Sequence, residues 1–166
     1  MIRIHADDYA VSLHASREIA ELIRENQLDS TSIIPNMSCY DASMEILKKA
    51  LKINTRKVEL AIHLNLMEGH CVACTEKVSC LVDQEGYFVR SWGDLLRVSY
   101  NKGERENWKT QIKEEIRAQI LKVRDSLPEE TCFRVDSHQH THMIPVVWEA
   151  LTEVLEENLI QVSCVR

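Results

Sequence analysis

The 166-residue sequence lacks the features that define several broad classes of protein. No apolar run approaches the roughly 20 residues that a membrane-spanning helix needs. The first residues lack the layout of a signal peptide and instead favour a strand. Lys and Arg number 20 against 26 Asp and Glu, and the net charge of −6 argues against nucleic acid or an anionic membrane as the main partner. No repeat, low-complexity tract or linker interrupts the chain, so we expect one α/β domain over residues 1–166.

The six cysteines do not form a zinc-binding pattern. Cys71 and Cys74 make one C-x-x-C pair, but no second pair stands at the spacing that a four-ligand zinc site needs. A thioredoxin-type pair lies between a strand and a helix, whereas this pair precedes a Val/Leu-rich segment that is typical of another strand. We interpret the cysteines as reduced thiols in a cytoplasmic protein, with a redox or structural zinc role as the alternative.

Hydrophobic periodicity predicts strands that alternate with helices. Strands are expected at residues 2–6, 32–37, 58–66, 133–135 and 160–165. Helices are expected at residues 12–23, 41–50, 108–127 and 145–158. Ser12 and Asp41 are the predicted N-caps of the first two helices, Pro145 suits the first turn of the last, and Asn158 can end it. The order predicts parallel strands joined by right-handed crossovers, in an open α/β sheet or a (β/α) barrel.

A few segments depart from this regular alternation. Residues 71–90 are typical of an irregular or hairpin insertion, with a turn at Gly86. Met143 and Trp148 are expected in the core. His5, His14 and His70 have no partner in the sequence and receive no role.

The most reactive polar residues follow three of the predicted strands. Asp7 and Asp8 come after the first strand, and His63 and Asn65 end the third. A cluster of three histidines follows the fourth strand, namely His138, His140 and His142. Because the carboxyl ends of parallel strands meet at one edge of the sheet, we expect these side chains to converge there.

Asp and His together suit a catalytic metal site. Imidazole and carboxylate ligands suit Zn²⁺ and other first-row ions. Two histidines and one carboxylate leave positions open for water and a substrate oxygen, whereas structural zinc is usually closed by four protein ligands. In an extended strand Asp7 and Asp8 would point to opposite sides, so one can bind the metal while the other faces the substrate. The histidines of the H-x-H-x-H run would share one face of an extended segment, and all three reach one ion only if the chain turns.

Three motifs, taken together, resemble those of the YdjC-like carbohydrate deacetylases, which include chitooligosaccharide deacetylases. The motifs are Ala6-Asp-Asp-Tyr9, Ala61-Ile-His-Leu-Asn-Leu66 and Val135-Asp-Ser-His-Gln-His-Thr-His-Met-Ile-Pro145. The resemblance covers essentially the whole chain. It implies an incomplete or distorted (β/α) barrel that removes N-acetyl groups from N-acetylglucosamine-type sugars.

The resemblance also implies specific roles in the site. Asp8, His63 and His138 would bind one divalent ion, magnesium or zinc, and Asp7 would be the general base. Asn65, His140 and His142 would orient a ligand or line the substrate cleft. Apart from the resemblance, the position of Tyr9 beside the Asp pair leads us to expect that a sugar stacks on its ring.

Family members are longer than this chain and carry a further His-containing segment. A five-strand part of a barrel would expose a sheet edge and an apolar interior. The chain could be a fragment, could form a homo-oligomer that covers the open edge, or could fold as a smaller open sheet. We therefore expect a retained metal site and impaired catalysis in the monomer.

Two other functions remain open at this point. One is another metal-dependent amidohydrolase or phosphoesterase, which is disfavoured because no second ligand set and no Gly-rich phosphate loop are visible. The other is a non-catalytic carbohydrate-binding or assembly fragment that keeps the metal site.

Overall fold

Helices and strands alternate along the chain, as expected for an α/β protein. The computed structural model describes residues 2–128, 131, 133–157 and 162–165. The strands are β1 His5–Tyr9, β2 Ser30–Ile33, β3 Glu59–Leu64, β4 Phe133–Ser137 and β5 Val162–Val165. The α-helices are α1 Leu13–Arg24, α2 Tyr40–Ile53, α3 Trp92–Ser99, α4 Arg105–Asp125 and α5 Pro145–Glu157. Two 3₁₀ segments are described at Thr75–Lys77 and His138–Met143.

The five strands form one parallel sheet in the order β1-β2-β3-β4-β5. Consecutive parallel strands are joined by right-handed crossovers, which place their helices on the same face of the sheet. A sequential strand order with helices on one face is the arrangement found in part of a (β/α) barrel. The predicted fold class is therefore confirmed.

The register gives the sheet one apolar and one polar face. Thr31 pairs with Leu60, which pairs with Phe133, and Ile33 pairs with Ile62, which pairs with Val135, on the face that packs against the helices. The opposite face, here named the polar face, carries His5, Ser30, Ser32, Glu59, Arg134 and Asp136. The expectation that a partial barrel exposes an apolar interior is wrong for these strands, because alternate positions along them are polar or ionic.

Helix starts agree with the sequence at two of the three predicted positions. The Ser12 side chain accepts a hydrogen bond from the Ala15 amide and caps α1, and Pro145 is the first residue of α5. The predicted cap at Asp41 is wrong, since Cys39 occupies that position without a side-chain hydrogen bond. Asp41 lies in the first turn of α2, where its charge favours the helix N-terminus. The predicted helix end at Asn158 and strand start at Ile160 lie outside the described residues.

The segment between β3 and α4 differs most from expectation. The strand expected directly after the Cys71/Cys74 pair does not form. This segment instead contains a short 3₁₀ segment and two isolated antiparallel bridges. Gly86 makes the predicted turn with φ of 87°. The helix α3 was not predicted, although Ser91 and Asp94 form a capping box, which is a recognisable sequence signal.

Two residues expected in the core lie at the surface. Met143 is 68% exposed and Trp148 is 44% exposed. The helix α5 packs through its other face, with Val147, Ala150 and Val154 buried, so these two apolar residues do not belong to the periodic stripe. Among the described residues, no helix combines the length and apolar character that crossing a membrane requires.

Candidate metal centre

The three predicted metal ligands come together at one rim of the sheet. Oδ1 of Asp8 lies 3.2 Å from Nε2 of His63 and 2.9 Å from Nδ1 of His138. These three atoms all lie within 4.8 Å of one another. They come from the end of β1, the end of β3 and the turn after β4, so the predicted convergence of strand ends holds for this set.

A break in the regular geometry of β1 separates Asp7 from Asp8. The register of β1 against β2 shifts between Ala6 and Tyr9, and Asp8 has a φ of 60°. Aspartate tolerates this left-handed conformation better than most residues do. The two carboxylates therefore reach different neighbours, but because of a bulge and not because of simple strand alternation.

The three histidines after β4 have three different environments. Gln139 and His140 have φ values of 53° and 54° inside the 3₁₀ segment. This turn brings His138 to Asp8, leaves His140 exposed, and buries His142 against the Ser137 hydroxyl at 2.6 Å. The expectation that they share one face of an extended segment is wrong. Burial lowers the pKa of His142, and the neighbouring His140 acts in the same direction.

Both candidate histidine ligands contact a second carboxylate. Nδ1 of His63 lies 2.6 Å from Oδ1 of Asp136, which is 5% exposed. Nε2 of His138 lies 3.1 Å from Oε1 of Glu68. The sequence-based predictions include neither carboxylate. Asp136 is the register partner of His63 on the neighbouring strand, and that pairing is set by tertiary structure.

Asp7 lies on the polar face beside the metal ligands. Its Oδ1 accepts from the Ser32 hydroxyl at 3.0 Å and lies 2.8 Å from Nε2 of His5. Burial raises the pKa of Asp7, but the hydrogen bond from Ser32 and the neighbouring His5 outweigh it, so the pKa lies below its usual value. Asp7 is therefore ionised at neutral pH. His5, which had no predicted role, shares a strand face with Asp7, and its i−2 position was the signal for this contact.

His5, Asp7 and Asp136 form a second group of candidate ligand atoms. Nε2 of His5, Oδ1 of Asp7 and a carboxylate oxygen of Asp136 lie within 4.8 Å of one another. Nε2 of His5 is 3.9 Å from Oδ2 of Asp136. The expectation that the chain offers no second ligand set is therefore wrong.

Two residues expected near the substrate are buried. The Tyr9 side chain is fully buried, and its hydroxyl donates to the Ser43 carbonyl at 2.7 Å. Its predicted stacking on a sugar is wrong, because no face of the ring is accessible. Asn65 is also fully buried. Its side chain supports the turn after β3 through hydrogen bonds to the amides of Met67 and Glu68.

A small cavity lies beside the candidate ligands. It has a volume of 70 Å³ and is lined by Asp7, His63, Asp136, Ser137 and His140. The exposed His140 therefore lies on the solvent side of the site. This position is the one required by the second of its two predicted roles, which is to line the substrate cleft.

Comparisons with known proteins agree with the resemblance of the motifs. A carbohydrate deacetylase of Mus musculus is 26% identical over 154 residues, which is 92% of this chain and 46% of that protein. A carbohydrate deacetylase of Thermoanaerobacter pseudethanolicus is 26% identical over 152 residues, which is 91% of this chain and 55% of that protein. The chain thus spans about half the length of the curated relatives it matches.

A solved structure shares the fold. It is a crystal structure of an Enterococcus faecalis V583 protein described as a candidate cellobiose-phosphate cleavage protein, with a TM-score of 0.70 and 20% identity. The match covers 98% of this chain and 57% of that one. The family described as YdjC-like protein matches residues 1–166. By that match over its whole length, this chain belongs to the YdjC-like family.

Proposed function

We propose that this protein is a metal-dependent hydrolase that removes N-acetyl groups from N-acetylglucosamine-type oligosaccharides, including chitooligosaccharides. The observation that carries this proposal is the convergence of Asp8, His63 and His138, with the ionised Asp7 on the neighbouring position. The names of the relatives, which are carbohydrate deacetylases, support the substrate class.

The proposed ligands fit a single divalent ion. Ligand atoms that each lie about 2.0–2.2 Å from one zinc ion stand roughly 3 Å apart, and Asp8 lies 3.2 and 2.9 Å from the two histidines. The buried Asp136 on the far side of His63 is the usual support for a metal-binding imidazole. A zinc or magnesium ion held there supplies Lewis-acid polarisation of the acetyl carbonyl and a lowered pKa for water.

Asp7 is proposed as the general base. Among the described residues, the hydrogen bonds to Asp7 all involve Oδ1, so Oδ2 is available to the reacting water. As the water oxygen forms a bond to the acetyl carbon, its proton passes to Oδ2 of Asp7. The C–N bond then breaks, the amine nitrogen takes up a proton from solvent, and Asp7 releases its proton to solvent, so that the products are acetate and the free amino sugar. His140 lines the same cavity and is placed to contact the sugar side of the substrate.

Acetate release from short N-acetylglucosamine oligomers tests this proposal, with metal content measured on the same samples. We expect Asp8→Ala and His63→Ala to lose both metal and activity. Asp7→Asn should keep the metal and lose about 10²- to 10⁴-fold in rate, the range for a missing general base. Asp41→Asn, at an exposed carboxylate that belongs to neither candidate ligand group, is the control for loss of one negative charge.

Two results would refute parts of the proposal. Unchanged metal content in both ligand variants would show that these residues do not bind the ion. Full metal content without acetate release in the wild type would favour the non-catalytic carbohydrate-binding alternative.

The group formed by His5, Asp7 and Asp136 supports a second candidate function, that of a two-ion amidohydrolase or phosphoesterase. In two-metal sites both ions clamp the attacking and leaving oxygens. Metal stoichiometry distinguishes the candidates. One ion per chain supports the deacetylase proposal, whereas two ions, one of them lost in His5→Ala, would support the second candidate.

A further inference from the structure

We propose that Glu68 positions the metal ligand His138, so that His138 binds the ion through Nδ1 whereas His63 binds it through Nε2. This inference rests on the proposed metal site. It adds a residue that touches neither the ion nor the substrate, and it assigns the binding nitrogen of each histidine.

The assignment follows from the contacts of the two rings. A neutral imidazole carries a hydrogen on one nitrogen and a lone pair on the other, and an ionised carboxylate only accepts hydrogen bonds. In the proposed site the ring nitrogen that faces the ligand Asp8 gives its lone pair to the ion, so His138 binds through Nδ1, 2.9 Å from Asp8, and its hydrogen lies on Nε2, 3.1 Å from Glu68. In His63 the order is reversed, because Asp136 faces Nδ1 and Asp8 faces Nε2.

The backbone at Glu68 is held by two asparagine side chains. Its carbonyl accepts from Nδ2 of Asn36 at 2.8 Å and from Nδ2 of Asn65 at 3.0 Å. Its amide donates to Oδ1 of Asn65 at 3.3 Å. Gly69 follows with φ of 78°, and a Cβ there would lie 3.0 Å from Nδ2 of Asn36. The turn therefore has a fixed backbone, although the Glu68 side chain is 53% exposed.

The helix α4 fixes this turn in the fold. Gln119 is buried and forms hydrogen bonds with both the backbone amide and the backbone carbonyl of Asn65. Its Oε1 accepts from the Asn65 amide at 2.9 Å, and its Nε2 donates to the Asn65 carbonyl at 2.6 Å. Glu115, also buried, accepts from Nε2 of Gln119 and from the amides of Val72 and Ala73. A continuous set of hydrogen bonds thus runs from α4 to the backbone of Glu68, whose carboxylate faces His138.

Zinc affinity of the full chain tests the role of Glu68. Affinity is measured by competition with a chromophoric chelator in the wild type, Glu68→Ala, Glu68→Gln and the control Glu85→Ala. Loss of a carboxylate behind a metal-binding histidine weakens metal binding by about 10- to 100-fold. We expect the lower end for Glu68→Ala, because this carboxylate is half exposed. Glu68→Gln should restore part of the loss, since its amide oxygen still accepts from Nε2. The exposed Glu85, in the neighbouring loop, should have no effect.

Nitrogen-15 NMR of the zinc-loaded protein tests the binding nitrogens independently of activity. The spectrum distinguishes protonated from metal-bound ring nitrogens. We expect the ring proton of His138 on Nε2 and that of His63 on Nδ1.

The outcomes separate this inference from the proposed function. If the wild type binds zinc and Asp8→Ala does not, but Glu68→Ala binds as tightly as the wild type, the inference is wrong and the metal site stands. Binding of zinc through Nε2 of His138 would likewise show that the inference is wrong and that the metal site stands. If the wild type binds zinc no better than Asp8→Ala does, the proposed metal site is wrong and the inference is wrong with it. Far-ultraviolet circular dichroism of each apo variant verifies the fold.

Discussion

Asp136→Asn is expected to weaken metal binding while preserving the fold. Asp136 is almost completely buried, and its Oδ1 lies 2.6 Å from Nδ1 of His63. Asparagine has nearly the same size, and its carbonyl oxygen can still accept the hydrogen of Nδ1. The substitution therefore removes the negative charge behind the ligand and leaves the packing in place.

The magnitude follows from two independent estimates. Partners of metal-binding histidines typically contribute about 10- to 100-fold in metal affinity, which is about 1.4 to 2.7 kcal/mol. A hydrogen bond to a charged group contributes about 1.5–3 kcal/mol, against about 1 kcal/mol for a neutral one, so loss of the charge alone removes about 0.5–2 kcal/mol. The two ranges overlap at about 1.4–2 kcal/mol, so we expect a loss of about 10- to 30-fold in zinc affinity. Because the contact is buried, salt should screen it little.

The assay is a zinc titration against a competing chelator near neutral pH, starting from protein stripped of metal. The wild type, Asp136→Asn and Asp41→Asn are compared. Asp41 is exposed in the first turn of α2 and belongs to neither candidate ligand group, so its variant removes the same charge without removing a candidate ligand. Thermal unfolding of the apo proteins verifies that the variants are folded.

Two results would contradict this reasoning. Zinc affinity of Asp136→Asn within twofold of the wild type, together with loss of binding in His63→Ala, would mean that the 2.6 Å contact does not support the ligand. An equal loss in Asp41→Asn would mean that net charge, and not the local contact, determines the affinity.

Three further predictions concern buried residues around the site. Asn65→Ala removes four side-chain hydrogen bonds and should destabilise the protein by about 2–3 kcal/mol in urea unfolding; a change within error would contradict this. Tyr9→Phe removes the hydroxyl that donates to the Ser43 carbonyl and should cost about 1 kcal/mol in the same assay, and an unchanged free energy of unfolding would contradict this. Burial lowers the pKa of His142, so the unfolded state binds more protons and stability should fall as the pH drops from about 7 to 5. That fall should be shallower in His142→Asn, and equal slopes in the two proteins would refute this assignment.

Periodicity and strand ends predict much of this architecture because both are local. Apolar residues three or four positions apart identify the long helix α4, whereas the strand predicted at residues 2–6 overlaps β1 only at His5 and Ala6. The same logic places Asp8, His63 and His138 at the ends of parallel strands, which is enough to predict their convergence. Local signals fail for Met143 and Trp148, because an apolar residue next to a helix does not have to lie on its buried face.

The local geometry of the site is not readable from the sequence, since it depends on backbone conformations without a residue signature. Asp8 and His140 adopt left-handed conformations that glycine usually marks, so neither the bulge nor the turn could be predicted. The outer carboxylates depend on register as well. Asp136 lies opposite His63 although 73 residues separate them, and Glu68 reaches His138 only because Asn65 fixes its turn.

Metal binding and turnover place different demands on this chain. The three proposed ligands lie on β1, β3 and the turn after β4, and the carboxylates behind the two histidines lie on β4 and the turn after β3. Parallel strand pairing holds these elements together, so the described residues contain every group that the proposed metal site requires. Deacetylation also needs a proton for the departing amine, and the chain spans about half the length of its curated relatives. In the described part of the site, the exposed imidazole that lines the cavity is that of His140. Metal affinity and acetate release therefore have to be measured separately.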